Sequence, residues 1–207
     1  MAAALRDGLL ALDIPASSGQ RDTLLRYIAL LARWNRAYNL TAIRAPRDMV
    51  RRHLLDSATA LPWLHGLSVL DAGSGAGLPG LVLAVLAPRR QFTLLDSAGK
   101  KIRFLRHVVA ELRLANVTVV RQRAEAHEPG QPYDTVICRA FADLAGFVHS
   151  CGSLAAAGGR LVAMKGRYPE AELAALPAGW PAGEVARVQV PGLERQRHIV
   201  VLERLDD

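Results

Sequence analysis

Lysine, cysteine and long apolar runs are all scarce in this chain, and each scarcity excludes something. Two cysteines occur, Cys138 and Cys151, outside any CxxC spacing. That argues against a disulfide framework or a zinc site and leaves the cytoplasm as the expected compartment. No apolar run approaches the roughly 18 residues of a membrane-spanning helix. The opening MAAALRDGLLALDIP is broken by Arg6 and Asp7 and has no basic leader, so it reads as a short helix and not as a signal peptide. Of the 26 basic residues, three are lysine: Lys100, Lys101 and Lys165. Acids are short too, since 19 Asp and Glu leave a net charge of +7. Genomic base composition accounts for arginine over lysine but not for charge left unbalanced. An excess of this kind favours a polyanionic partner, nucleic acid before an anionic membrane surface.

What is present suits one domain with an extension. A chain of 207 residues buries enough surface to fold without disulfide or metal. Residues 17–38 have helical periodicity, with Leu24, Leu25, Ile28, Leu31 and Ala32 on one face and Arg26, Arg33 and Arg36 opposite. Ser17 or Ser18 caps the start. Pro46 opens a second helix running to about Leu61, with Val50, Leu54, Ser57 and Leu61 on one stripe. Residues 1–66, with nine arginines against five aspartates, form a basic helical extension.

The texture changes after Gly66. Short apolar runs at 67–71, 91–95, 117–120, 133–138 and 159–164 alternate with helical stretches at 78–87, 98–114 and 143–156. Strands alternating with helices of this length make βαβ units and a mainly parallel sheet. The tail differs: two alternating stretches, 184–190 and 197–204, flank a Pro-Gly turn without an intervening helix. They predict an antiparallel hairpin closing the sheet. The second unit is therefore 67–207, an α/β domain of Rossmann-like design, with its ligand at the C-terminal strand ends.

Within it, SVLDAGSGAGLPG (68–80) sets an acid, Asp71, before Gly73, Gly75, Gly77 and Gly80. Glycines after a strand let backbone lie against a ligand. The GxGxG spacing departs from the GxGxxG of nicotinamide sites. An acid beside two phosphates is awkward, whereas a ligand with an ammonium and a sulfonium, such as S-adenosylmethionine, accommodates it. FTLLDS ends the next strand at Asp96, where a carboxylate accepts from both hydroxyls of an unphosphorylated ribose. Asp96 fits either cofactor; Asp71 and the antiparallel ending favour S-adenosylmethionine. Ala124 and Glu125, after the third strand, stand where a loop frames an adenine, or form an ordinary solvated loop.

NLTAIR, RRHLLDS, LDAGSGAGLPG, FTLLDSAGKKIRFLR, RAEA, CRAFADL, MKG and RHIVVLE occur in this order. Over about residues 20–204 they resemble the bacterial small-subunit rRNA guanine-N7 methyltransferases, the RsmG or GidB family. The resemblance implies a class I S-adenosylmethionine-dependent methyltransferase fold and methyl transfer to N7 of a guanine of 16S rRNA near the decoding centre. By position it implies cofactor contacts at Gly73, Leu78, Ala124, Glu125 and Arg139. Cys138 stands where many members carry Ser.

The residues suit that chemistry. CRAF follows the fourth strand in place of the Asn/Asp-Pro-Pro-aromatic run of exocyclic-amine methylation. Cys138, in an apolar strand, reads as a core residue and not as a cytosine-C5 nucleophile. Three lysines give little material for a 2′-O-methylation base. Guanine N7 has an in-plane lone pair and no proton, so it asks for positioning and not for a catalytic acid or base. Two roles are open to Arg139: pairing with the cofactor carboxylate, or holding a phosphate or base edge of RNA. Lys165 lies near the same edge, and Arg51, Arg52, Lys100 and Lys101 are candidate phosphate contacts. His53 and Asp56 share a helix face, as a cap over the pocket or as a structural pair. The expected substrate is 16S rRNA, a small-subunit assembly intermediate or the subunit itself. No membrane, metal or obligate protein partner is expected. The alternative is a methyltransferase of a small molecule, for which a basic excess has no use; a non-enzymatic RNA-binding protein would not need Asp71 and the glycines.

Overall fold

The computed structural model describes residues 1–139, 141 and 143–203. Among these, no helix is long and apolar enough to cross a membrane. The basic extension folds as α1 (Ala2–Ala11), α2 (Ser18–Tyr38) and a third helical segment, α3, over 46–58. Ser17 caps α2 in a capping box: its hydroxyl accepts from Gln20 N–H and the Gln20 carboxamide accepts from Ser17 N–H. The same Gln20 donates to Val85 C=O at 2.8 Å, tying the helix start to the part of the chain that follows residue 66. α2 ends at Asn39, in the left-handed conformation.

α3 departs from the regular helix that its Pro46 start predicts. An α-turn, Pro46–Met49, gives way to a π-helical stretch, Val50–Leu55, before Asp56–Ala58 restores α geometry. The wider turn breaks the 3–4 residue stripe, so that His53 through Ala60 are all buried. Such insertions frequently mark functional sites.

Seven strands form one sheet, in the order β3-β2-β1-β4-β5-β7-β6. β1 (Ser68–Ala72), β2 (Gln91–Leu95), β3 (Val117–Val120), β4 (Tyr133–Cys138) and β5 (Ala155–Lys165) run parallel. β6 (Ala182–Val188) and β7 (Arg197–Glu203) close the sheet as the expected hairpin, β7 antiparallel to β5. The connecting helices are α4 (Gly80–Leu86), α5 (Gly99–Leu112), α6 (Leu144–Cys151) and a short α7 (Glu170–Ala174) that the periodicity does not announce. The sheet grows outward in both directions from the β1–β4 pair, so the loops part there and open a crevice at the C-terminal strand ends.

Alternation along the strands divides the core. Val69, Phe92, Ile137 and Val162 face α4; Leu70, Leu95, Val136 and Leu161 face α6. Residues 1–66 have no core of their own. Leu24, Ile28, Leu31, Val50 and Leu54 pack in one cluster with Leu81, Val82, Phe104 and Leu105.

One boundary is displaced. The Ala-rich stretch before β5, expected to continue a helix to 156, is already strand from Ala155. Tyr133 pairs with Ala155 and Thr135 with Arg160, a register shift that leaves Gly158 at φ +68°. Helical propensity of an alanine run is a weak preference, and pairing with β4 overrides it.

Candidate functional site

β1 delivers its C-terminus into the glycine turn. Gly73 has φ +71°, and no atom lies within 4 Å of where a Cβ would stand, so its bare backbone faces open space. Gly80 needs the opposite property: a Cβ there would meet Leu94 and the Asp71 carboxylate. Asp71 is completely buried behind the turn. Its Oδ2 accepts from Gly80 N–H at 2.8 Å, and its Oδ1 has no partner. Burial pushes this carboxyl up to about 7, against the Gly80 N–H, which favours the anion. In this structure Asp71 anchors the turn to α4 and has no surface open to the space in front of the turn. Leu78 is core, 4% exposed, and lines neither of the two clefts described below. Tyr27 of α2 donates its buried hydroxyl to Ala76 C=O at 2.8 Å, fixing the turn from the extension's side.

A cleft of about 390 Å³ opens beside Gly73, lined by Asp96, Lys101, Ala124, Glu125 and Phe141 among others. Asp96 sits on its floor, 6% exposed. One carboxylate oxygen accepts from Gly75 N–H (3.0 Å) and Lys101 Nζ (3.2 Å), the other from Ala98 N–H (2.9 Å). A charged acceptor held by three donors at a strand end, facing bare glycine backbone, suits a diol and a positively charged ligand. Gly75 serves through its N–H to Asp96 and does not line the space. Lys101, read as a phosphate contact, instead points inward to Asp96, because it lies on the first turn of α5. The Ala124–Ala126 turn brings Ala124 and Glu125 to the rim, and the Glu125 carboxylate is held below its usual range by its own backbone N–H and by Ser150.

A second cleft, about 410 Å³, lies on the β4–β5–β7 side of the switch point. Arg139, Arg52, Lys165, Arg197, His53 and Asp56 line it. No residue lines both clefts, so Arg139 belongs to this one. The NLTAIR loop roofs it. Asn35 donates to Thr41 C=O and accepts from Thr41 N–H. His53 Nδ1 lies 3.0 Å from Arg52 C=O, which can only accept, so Nδ1 carries the proton. Nε2 is then the acceptor for the Thr41 hydroxyl at 2.9 Å. Burial and the nearby Arg139 push His53 down to about 4, keeping it neutral. His53 and Asp56 do not bond each other; the π-helical stretch separates the roles that a regular helix face suggested. Lys165 is paired with Glu172 at 2.7 Å. Lys100 is exposed and donates to Tyr38 C=O, and Arg51 is exposed beside the 192 turn. Burial pushes the thiols of Cys138 and Cys151 up, the latter to about 12, so neither is a thiolate.

The family model for rRNA small subunit methyltransferase G, GidB, matches residues 20–200. A protein of that name from Marinobacter nauticus is 49% identical over 98% of this chain and 94% of its own length. Another, from Xanthomonas euvesicatoria, is 50% identical over 99% and 95%. The chain belongs to the GidB family. It is an S-adenosylmethionine-dependent methyltransferase. Solved structures agree on the fold: magnesium protoporphyrin IX methyltransferase from Synechocystis (TM-score 0.61, 20% identity, 92% of this chain and 99% of that one) and TrmN from Thermus thermophilus (0.59, 22%, 75% and 53%).

Two members of the GidB site escape sequence reasoning. Arg197 looks like a hairpin charge until β7 pairs with β5 and brings it beside Lys165. Phe141 sits in the CRAF run, yet nothing in its spacing announces that it lines the first cleft together with Asp96. The Thr41–His53 bond was carried by the two quoted motifs NLTAIR and RRHLLDS, but only folding joins them.

Proposed function

We propose that this protein methylates N7 of a guanine in small-subunit (16S) rRNA, the cofactor occupying the first cleft and the target nucleotide the second. The observation that carries this reading is the pair of clefts, one glycine-lined with a buried carboxylate acceptor, one lined mostly by cations, both along the C-terminal strand edge. Family membership favours rRNA over a small-molecule acceptor, and the net charge of +7 agrees. Residues 1–66 serve as the extension that roofs the second cleft, and 67–207 as the methyltransferase domain. The cofactor supplies an electrophilic methyl group on a sulfonium. Asp96 accepts from the ribose hydroxyls, Gly73 offers bare backbone to the methionine part, and the Ala124–Glu125 turn frames the adenine. In the second cleft Arg139 positions the acceptor. Arg52 meets a phosphate within the same cleft, and Arg51 and Lys100 meet phosphates further out. The substrate is free rRNA, an assembly intermediate or the subunit; their shared chemistry is a polyanionic backbone.

No side chain has to remove a proton from N7. The histidine lining the second cleft has both nitrogens engaged with Thr41 and Arg52, which suits that requirement. Positioning and exclusion of water then carry the rate. Single-turnover methylation at saturating substrates is expected to stay nearly flat between about pH 6 and 8.5, where free guanine N7 is unprotonated. Cys138→Ser should retain activity. A rate rising tenfold per pH unit, or a folded but inactive Cys138→Ser, would point to another target atom. Mass mapping of 16S rRNA from cells with and without the protein tests the assignment directly: no methyl difference at a guanine overturns it.

A further inference from the structure

Asp56 occupies an unusual position in the second cleft. Its side chain, 4% exposed, comes from the end of the π-helical stretch in α3. Its Oδ1 accepts from Arg197 Nε at 2.7 Å, and its Oδ2 lies 3.6 Å from Arg139 Nη1. One arginine directly follows β4 and the other starts β7, so three separate parts of the chain converge on a single carboxylate. A buried carboxylate needs a cation, but one suffices. The second guanidinium leaves the trio with a net positive charge and two like charges that only the shared anion holds close.

The donors left over face outward. Arg197 Nη1 is committed to Gln196 C=O at 2.9 Å, and Arg139 Nη1 reaches Arg52 C=O at 3.5 Å. Among the described residues, no acceptor engages Arg139 Nε or Nη2, or Arg197 Nη2. None of these nitrogens is among the buried atoms left without a partner, and both arginines line the cleft. Lys165, which lines the same cleft, is neutralised by Glu172 and offers no comparable charge.

We propose that Asp56 is a positioning residue that yokes Arg139 and Arg197 into a two-armed oxyanion receptor, and that the anion taken is an RNA phosphate adjoining the target nucleotide. The assignment rests on the rRNA reading above. Planar guanidinium forks match phosphate oxygens in pairs, and pre-holding them removes part of the ordering cost on binding. The cofactor carboxylate is the other oxyanion available, but the receptor opens into the cleft that shares no lining residue with Gly73 and Asp96.

The test compares wild type, Asp56→Asn, Arg197→Gln and the double variant on one small-subunit RNA substrate, across a salt series, with cofactor affinity measured separately by calorimetry. Asp56→Asn is expected to raise KM for RNA about tenfold and to make the salt dependence shallower by about one phosphate contact. Cofactor Kd should stay within about twofold. The double variant should be no worse than the poorer single one, because both changes break the same unit. An unchanged KM and salt slope in folded Asp56→Asn, or losses that multiply in the double variant, would overturn the yoke. Equal losses of cofactor and RNA affinity would overturn the phosphate assignment in favour of the cofactor carboxylate. If Asp56→Asn does not fold, Arg197→Gln carries the same comparison, since Asp56 then keeps Arg139. A wild type that leaves the RNA unmethylated overturns the functional reading and this assignment with it. A methylating wild type with Asp56→Asn and Arg197→Gln unchanged overturns the yoke alone.

Discussion

Asp96→Ala is expected to weaken S-adenosylmethionine binding by roughly a hundredfold or more. A carboxylate accepting from two ribose hydroxyls makes two charge-assisted hydrogen bonds of about 1.5–3 kcal/mol each, and about 3 kcal/mol in total already exceeds a hundredfold. The side chain has a second duty, since it holds Gly75 N–H, Ala98 N–H and Lys101. The two duties separate experimentally. Lys101→Ala removes the ion pair at 3.2 Å while leaving the acceptor in place. Lys101 is about a third exposed, so solvent screens much of that pair and the change should cost less than about tenfold. Calorimetry that returned equal affinities for wild type and Asp96→Ala would remove Asp96 from the cofactor site. Equal losses in Asp96→Ala and Lys101→Ala would reduce it to a support for the turn.

The second large effect is on stability, and in wild type it is concealed. Asp71 is pushed up to about 7 from an ordinary 3.8. Between those values the folded state keeps a proton that the unfolded chain has lost, so this group's contribution falls as pH rises from about 4 to 7. His53 is pushed down to about 4 from 6.5. There the unfolded chain binds the proton first, and stability is lost as pH falls from about 6.5 to 4. Each amounts to about 3–4 kcal/mol, with opposite sign, so the two nearly cancel across the same window. Single variants should uncover them. Asp71→Asn keeps an acceptor for Gly80 N–H and leaves His53 unopposed: its stability relative to wild type should be greatest near pH 8 and should decline on acidification. His53→Gln should show the reverse, gaining on wild type as pH falls. Denaturant unfolding at pH 4.5 and 7.5 reads the difference, in which any constant cost of substitution cancels. Profiles of both variants parallel to wild type would show that neither group titrates as its burial requires.

These two residues also mark how far the sequence reaches. Asp71 and Asp96 look alike in it, each an acid ending a strand. Burial then gives them different duties. Asp71 lies inside β1 and is held behind the glycine turn by Gly80, while Asp96 lies one residue past the end of β2, where the chain leaves the sheet, and lines the cleft. The parallel strands, the glycine turn, the closing hairpin and the family were determined by local pattern: period-two and period-3.6 apolar spacing, positive-φ glycines and quoted motifs. Those signals depend on neighbours within a few residues, and that is what a sequence displays. The π-helical stretch in α3, the early start of β5 and the second cleft were decided by tertiary structure. Asp56 and Arg197 are 141 residues apart, and nothing in the intervening chain encodes their 2.7 Å contact. Only the pairing of β7 with β5 places Arg197 at the C-terminal strand edge, and only burial of the Asp56 carboxylate makes a cationic partner obligatory.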